Sequence, residues 1–257
     1  MPRAKRHFLP ARGYIWHITH RCHKREFLLK FKKDKLTWQS WIFRAKRAYG
    51  LKVLDYVVTS NHIHLLVFDK GDPRTIPRSL HLAAGQTAQR YNRRKKRVGA
   101  FWQDRYHATA VEAGPHLVRC IKYIDLNMVR AGVVSHPDEW PFGGFNEIQG
   151  SKAKYCLIDW RGLLSLFSVR NRDELRAAFR SWVEADLREK RLSREGCWTE
   201  SIAVGSKEFA TTIKNELRER GIGKKILEDT QGSLLQEIPP TYRRFFRQKV
   251  GSRTEKP

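Results

Sequence analysis

Residues 51–68, "LKVLDYVVTSNHIHLLVF", contain two strand-like runs separated only by Thr59, Ser60 and Asn61. Both runs are rich in β-branched and aromatic residues. A connection this short, made of turn-prone residues, permits an antiparallel hairpin and little else. The flanking segments then follow in a readable order. "GYIWHITHR" (13–21) alternates apolar and polar residues as a strand does. "DKLTWQSWIFRAKRAYG" (34–50) spaces Leu36, Trp38, Trp41, Ile42 and Ala45 at helical intervals, with Asp34 as the expected N-cap and Gly50 as the stop. Past Gly71, Asp72 and Pro73, residues 75–97 carry the helical spacing Leu80, Ala84, Thr87, Ala88 and Tyr91, and "QDRYHATAVEA" (103–113) reads as a strand. Strand, helix, strand, strand, helix, strand is the split βαβ order of ferredoxin-like folds. The expected fold class is therefore α+β, a four-stranded antiparallel sheet backed by helices.

A further helix is predicted over "GPHLVRCIKYIDLNMVRAG" (114–132), with Pro115 in its first turn, Gly132 past its end, and Leu117, Ile121, Ile124 and Met128 on one face. The opposite stripe holds Arg119, Tyr123 and Asn127 at intervals of four. A phenol and a carboxamide thus share one edge of the helix that follows the last strand of the core.

Charge narrows the partner. The chain carries 51 Lys and Arg against 26 Asp and Glu, a net +25, with a pI near 10.3. Residues 1–150 hold 28 basic and 11 acidic side chains, and the remainder 23 and 15, so the excess is concentrated in the first part. Such an excess suits a polyanion, whose phosphates recruit Lys and Arg while counterions are released. The eight Trp and eight Tyr would suit base stacking on a single strand, although core packing accounts for aromatics equally well. No apolar run approaches a membrane span, and "MPRAKRHFLPARG" lacks the apolar centre of a signal peptide, so a cytoplasmic protein is expected. Cys22, Cys120, Cys156 and Cys197 are far apart and form neither a disulfide framework nor a zinc motif.

Within the hairpin, His62 and His64 project from the same face of a strand at ~6–7 Å spacing. They can reach one first-row divalent ion, and an amide oxygen as a further ligand would tilt the site towards Mg2+ or Mn2+. The same pair also fits two partly buried histidines satisfied within a sheet, and Tyr-x-x-x-Asn alone also fits packing plus a cap. Read as a set, the metal could polarise a phosphoryl oxygen and Tyr123 could act as nucleophile, with Asn127 supplying the missing oxygen. Tyr91 and Tyr106 also lie near basic residues, but Tyr106 sits in a strand-like run and Tyr91 has no ligand-like partner one turn away.

These pieces resemble the single-tyrosine transposases of the HUH endonuclease class, and within them the REP-associated tyrosine transposases of bacteria. The resemblance rests on "SNHIHLLV", "GAFWQDRYHATAVE" and "CIKYIDLNMVRAGVV", with "HITHRCHKREFLL", and covers about residues 10–147. It implies that His62, His64 and Asn127 hold one divalent ion, Mg2+ or Mn2+. It implies too that Tyr123 attacks single-stranded or hairpin DNA to give a 5′-phosphotyrosine and a free 3′-hydroxyl, later resolved by strand transfer. The implied setting is a bacterial cytoplasm, at the nucleoid. No nucleotide cofactor is expected, and no phosphate-loop motif is present. The family usually has proline where this chain has Met128, which is expected to keep the helix continuous. A catalytically silent hairpin-binding descendant of a transposase and a water-using metal phosphodiesterase are the alternatives. Monomer and homodimer both remain open.

Arg93, Arg94, Lys95, Lys96 and Arg97 form a basic cluster expected to contact phosphates, and Trp102, Arg105 and Arg130 are further candidate DNA contacts. The expected organisation is a transposase domain over 1–147, a helical extension over 148–238 that binds DNA or packs on the core, and a basic, poorly ordered tail over 239–257. In the extension, helices are predicted within 155–168, 171–192 and 205–221, the last capped by Ser206.

Overall fold

The computed structural model describes residues 13–217, 223–229 and 232–237, so the expected tail at 239–257 lies outside the described residues. β1 (Ile15–Arg21), α1 (Lys32–Tyr49), β2 (Lys52–Val58), β3 (His62–Phe68), α2 (Thr75–Lys95) and β4 (His107–Val111) follow in the predicted order. They assemble as β2-β3-β1-β4 with every pairing antiparallel, which is the ferredoxin-like arrangement. The Thr59–Asn61 connection joins β2 to β3 as expected. Trp16, Ile18, Ile63, Leu65 and Val67, on one face of β1 and β3, are all buried, as are His17, His64 and Leu66 on the other. Both faces of the central strands are covered.

α1 starts two residues before the predicted cap. Phe31 is the N-cap and Asp34 sits buried in the first turn, paired with Arg94 of α2. The carboxylate ties two helices together instead of capping one. Gly50 ends α1 in the left-handed conformation, φ 72°, as its position predicts.

The tyrosine helix is not continuous. α3 (Pro115–Asp125) and α4 (Asn127–Arg130) are separated at Leu126, φ −79° and ψ 5°, so the expectation that Met128 keeps one helix running is corrected. Leu126 is buried with Phe145 and Val183, apart from the cluster that takes the apolar face of α3, and the break falls where the packing partners change.

Beyond it lie α5 (Gly144–Ile148), α6 (Trp160–Phe167), α7 (Arg172–Arg188), α8 (Cys197–Glu200), β5 (Ala203–Gly205), α9 (Lys207–Glu216), β6 (Lys224–Asp229) and β7 (Gly232–Glu237). Ser206 caps α9 by accepting from the Phe209 amide at 3.1 Å, as predicted. The extension is not purely helical, however, and the sheet has seven strands instead of four. β5 pairs in parallel with β4 through Ala110–Ala203 and Val111–Val204, and β7 and β6 continue the sheet outward. An unpaired β4 edge would expose open amides and carbonyls, and β5 occupies it. Glycine is required at 205, because a Cβ there would lie 2.8 Å from Glu112 Cβ. Trp198, Ile202 and Leu235 pack in the same hydrophobic cluster as Trp16 and Trp38, so residues on both sides of position 147 share one core. No helix among the described residues is long and apolar enough to cross a membrane.

Candidate active site

The antiparallel register places His62 opposite Arg21 and His64 opposite Thr19, with His107 also opposite Thr19 on the β4 side. Directly paired residues share a face, so β1, β3 and β4 present a floor of imidazoles, a hydroxyl and a guanidinium. α3 and α4 bring Tyr123 and Asn127 over this floor. The His64 and Tyr123 ring centroids are 5.6 Å apart, nearly perpendicular, and the His62 and His64 centroids are 4.9 Å apart. Asn127 Nδ2 lies 3.2 Å from His64 Nε2. The sequence-predicted quartet His62, His64, Tyr123 and Asn127 therefore converges on one cavity of about 640 Å³.

Each histidine is oriented from behind. The Nδ1 of His62 lies 2.7 Å from Asn61 Oδ1 and 2.9 Å from Thr59 Oγ1. The Thr59 hydroxyl donates to the His62 carbonyl and so accepts at this ring. Nδ1 is thus the protonated nitrogen of His62, and its Nε2 keeps a lone pair. Burial, with the charges of Arg21 and Arg130, lowers the His62 imidazole to about 4. Burial also pushes His64 well below its ordinary value, helped by His62 and His17. Both rings are neutral bases at physiological pH, the state a metal requires.

Among the described residues no group of three or more His, Cys, Asp or Glu side chains could hold a metal ion, so a third protein ligand here would have to be of another type. Asn127 has an amide oxygen on the same carboxamide that touches His64. Two neutral imidazoles and an amide oxygen fit a hard to borderline divalent ion.

Arg21, Arg25, Arg105, Arg130 and Arg194 line the cavity and make it strongly positive. The Arg130 guanidinium lies 4.2 Å from the Tyr123 ring centroid and donates to the Tyr123 carbonyl at 2.6 Å. Burial raises the Tyr123 phenol, while Arg130 and Arg194 pull it down. Of the expected DNA contacts, Arg105 and Arg130 stand at the cavity. Trp102 donates its indole N–H to the Ala84 carbonyl at 3.0 Å and stacks on His20 at 4.1 Å, which closes the core. The basic cluster lies at the end of α2 and does not line the cavity. There Arg94 pairs with Asp34, Arg97 donates to the Ala100 carbonyl at 3.0 Å, and Lys95 lies over the Phe31 ring. Arg93 and Lys96 are exposed. Tyr106 is buried, and Tyr91 packs on Phe101.

The family model described as Transposase IS200 like matches residues 11–127, a span that begins just before β1 and ends on Asn127. Over this segment the chain is similar to the IS200-like transposases. The matched span includes all four residues of the quartet. A solved structure described as the REP-associated tyrosine transposase bound to a REP hairpin is similar at 21% identity and a TM-score of 0.46, covering 57% of this chain and 84% of that one. No curated protein matches.

Sequence reasoning did not single out His17, Arg21, Arg25, Arg194 or Trp198 as parts of the site. His17 and Arg21 stand two and four positions apart from Thr19 and His17 on one face of "HITHR", a parity that becomes informative only once β1 is known to pair with β3. Arg194 and Trp198 lie beyond the matched segment and carry no motif.

Proposed function

We propose that this protein is a divalent-metal-dependent endonuclease and strand transferase acting on single-stranded DNA at or near hairpins, with Tyr123 as its nucleophile. The observation that carries the reading is the 5.6 Å approach of the Tyr123 ring to His64 within a cavity that also holds His62, Asn127 and five arginines. The Tyr123 oxygen would form a bond to a backbone phosphorus as the bond from phosphorus to the 3′ oxygen breaks. The phenolic proton leaves to solvent and the departing oxygen gains one. The product is a 5′-phosphotyrosine and a 3′-hydroxyl, and the reverse attack by another 3′-hydroxyl rejoins a strand without a nucleotide cofactor. His62, His64 and Asn127 would hold one Mg2+ or Mn2+, which supplies Lewis-acid polarisation of the phosphoryl oxygen. Arg21 and Arg130 offset charge on the phosphate, and Arg130 fixes the backbone of the nucleophile. The quartet lies within one chain, which supports a site completed in cis, in a monomer or in each half of a homodimer.

The test is an adduct assay on single-stranded oligonucleotides containing hairpins. A covalent protein–DNA species that needs Mg2+ or Mn2+, is lost in Tyr123→Phe and is reduced in His64→Ala is the expected result. An adduct retained by Tyr123→Phe overturns the nucleophile. Tight hairpin binding by the wild type with no adduct under either metal replaces the reading with that of a silent binder.

A further inference from the structure

His17 is fully buried on β1, and its ring lies parallel to that of His64, 4° between planes and 5.0 Å between centroids. Its Nε2 is 2.8 Å from His64 Nδ1, and its Nδ1 is 3.1 Å from the Trp198 carbonyl oxygen. These two distances fix a direction. A carbonyl oxygen only accepts, so His17 Nδ1 carries the hydrogen. A neutral imidazole has one N–H, which leaves His17 Nε2 as an acceptor. The nitrogen 2.8 Å away must then donate, so His64 carries its hydrogen on Nδ1. The lone pair of His64 falls on Nε2, the atom 3.2 Å from Asn127. Three assignments follow from one backbone carbonyl. Both of His17's nitrogens are engaged by neutral groups, with no carboxylate at either, in keeping with a neutral ring.

We propose that His17 is a positioning residue which, with the Trp198 carbonyl, holds His64 in the Nδ1–H tautomer and turns its Nε2 lone pair towards Asn127 and the cavity. The anchor comes from outside the matched transposase segment. Trp198 is in α8, fixed by its indole N–H to Glu195 at 2.8 Å and by the Arg119 guanidinium over its ring, and α8 is held to β4 by the Thr109 hydroxyl, which donates to the Ser201 carbonyl at 2.7 Å. α8 leads directly into β5, the strand that extends the sheet beyond β4. The C-terminal segment thus completes the support of a residue in the first domain. A ligating histidine whose second nitrogen is held by an outer partner binds metal more tightly and in one orientation.

The consequence for metal affinity rests on the metal reading above, whereas the tautomer does not. The experiment therefore has two arms on the full chain. Long-range 1H–15N spectra of 15N-histidine-labelled protein, without metal, report which nitrogen of His64 is protonated. Mn2+ titration followed by electron paramagnetic resonance reports affinity. Wild type should show His64 as Nδ1–H. His17→Gln offers an oxygen to accept from His64 and an N–H to donate to Trp198, and should keep both the tautomer and Mn2+ affinity within about threefold. His17→Leu should lose the single tautomer and weaken Mn2+ binding by roughly 10- to 100-fold. A wild-type His64 protonated on Nε2, or a His17→Leu protein with unchanged tautomer and affinity, overturns the proposal. Should His17→Leu not fold, the wild-type spectrum and the Gln variant decide. A wild type that shows the Nδ1–H tautomer but binds no Mn2+ removes the metal reading and leaves the His17 assignment standing.

Discussion

Arg130 donates from Nη2 to the carbonyl of Tyr123 at 2.6 Å while its guanidinium carbon lies 4.2 Å from the ring centroid of the same residue. One side chain thus ties down the backbone of the proposed nucleophile and lays a positive charge on its ring. Its charge also pulls the phenol down against burial, which pushes it up. Arg130→Ala should therefore raise the Tyr123 pKa further, read by ultraviolet titration of the phenolate. Loss of one preorganised charge at a reacting phosphate typically slows chemistry about 10²-fold, so single-turnover adduct formation should fall by that order. A rate within threefold of wild type would remove Arg130 from the site's chemistry.

His62 depends on its own turn. Asn61 Oδ1 and Thr59 Oγ1 both lie against His62 Nδ1, within the three residues that make the hairpin connection. Asn61→Ala should loosen the ring and weaken Mn2+ binding by about 10-fold, since outer partners of metal ligands are commonly worth 10- to 100-fold. Thr59 limits the loss by accepting from the same nitrogen. Calorimetric Mn2+ titration of the two proteins checks it, and equal affinities would count against His62 as a ligand.

The central sheet and the quartet were legible because short-range rules specify them. A three-residue connection between β-rich runs leaves only a hairpin, and period-two alternation then puts His62 and His64 on one face. The spacing of four likewise aligns Tyr123 with Asn127. His17 was not legible, because its role arises from the β1–β3 register and from a carbonyl 181 residues away. β5 was missed for a different reason: three residues are too few to show a period, and its pairing partner lies some ninety positions earlier. The split at Leu126 coincides with its packing on Phe145 and Val183, which no local pattern announces.

The arginines around the cavity should appear in the salt dependence of DNA binding. Each phosphate contact with a single strand contributes about 0.7 to the slope of log K against log salt. Arg105→Ala and Arg194→Ala should each lower the slope by about that much when a single-stranded oligonucleotide is titrated at several salt concentrations. Arg97→Ala should leave the slope unchanged, because that side chain is committed to the Ala100 carbonyl and to Glu26 at 3.6 Å. A slope lowered by Arg97→Ala and untouched by Arg194→Ala would move the strand's path to the end of α2.

Arg94 should behave as a structural residue despite its place in the basic cluster. Its partner Asp34 is buried between α1 and α2, and the second carboxylate oxygen has no hydrogen-bond partner among the described residues. Arg94→Ala leaves that carboxylate uncompensated. Because the Arg94 side chain is partly exposed, the cost should be about 1–3 kcal/mol, below that of a fully buried pair. For a chain of this size each kcal/mol lowers Tm by roughly 2–4 °C. Denaturation of Arg94→Ala beside Arg93→Ala, whose side chain is exposed, separates the two roles. Equal midpoints would show that the Asp34 pair contributes nothing.

Asp55 offers a test of the fold that leaves the chemistry untouched. It lies on β2 with no exposure, its Oδ1 accepts from the Tyr56 amide at 2.8 Å, and its Oδ2 has no partner among the described residues. Burial first, and then the neighbouring Asp125, push its carboxyl well above the ordinary value. An acid whose pKa is raised by folding stabilises the fold below its unfolded value of about 3.8 and loses that contribution as pH rises through the folded value. At pH 7 the wild type therefore carries a cost that an uncharged isostere does not. Asp55→Asn keeps an oxygen for the Tyr56 amide and removes the ionisable group. It should be more stable than wild type at pH 7, with the difference shrinking towards zero near pH 4. Urea denaturation of both proteins at the two pH values reads this directly. A variant less stable at pH 7, or a gain that persists unchanged at pH 4, would mean that the carboxyl is satisfied in its ionised form.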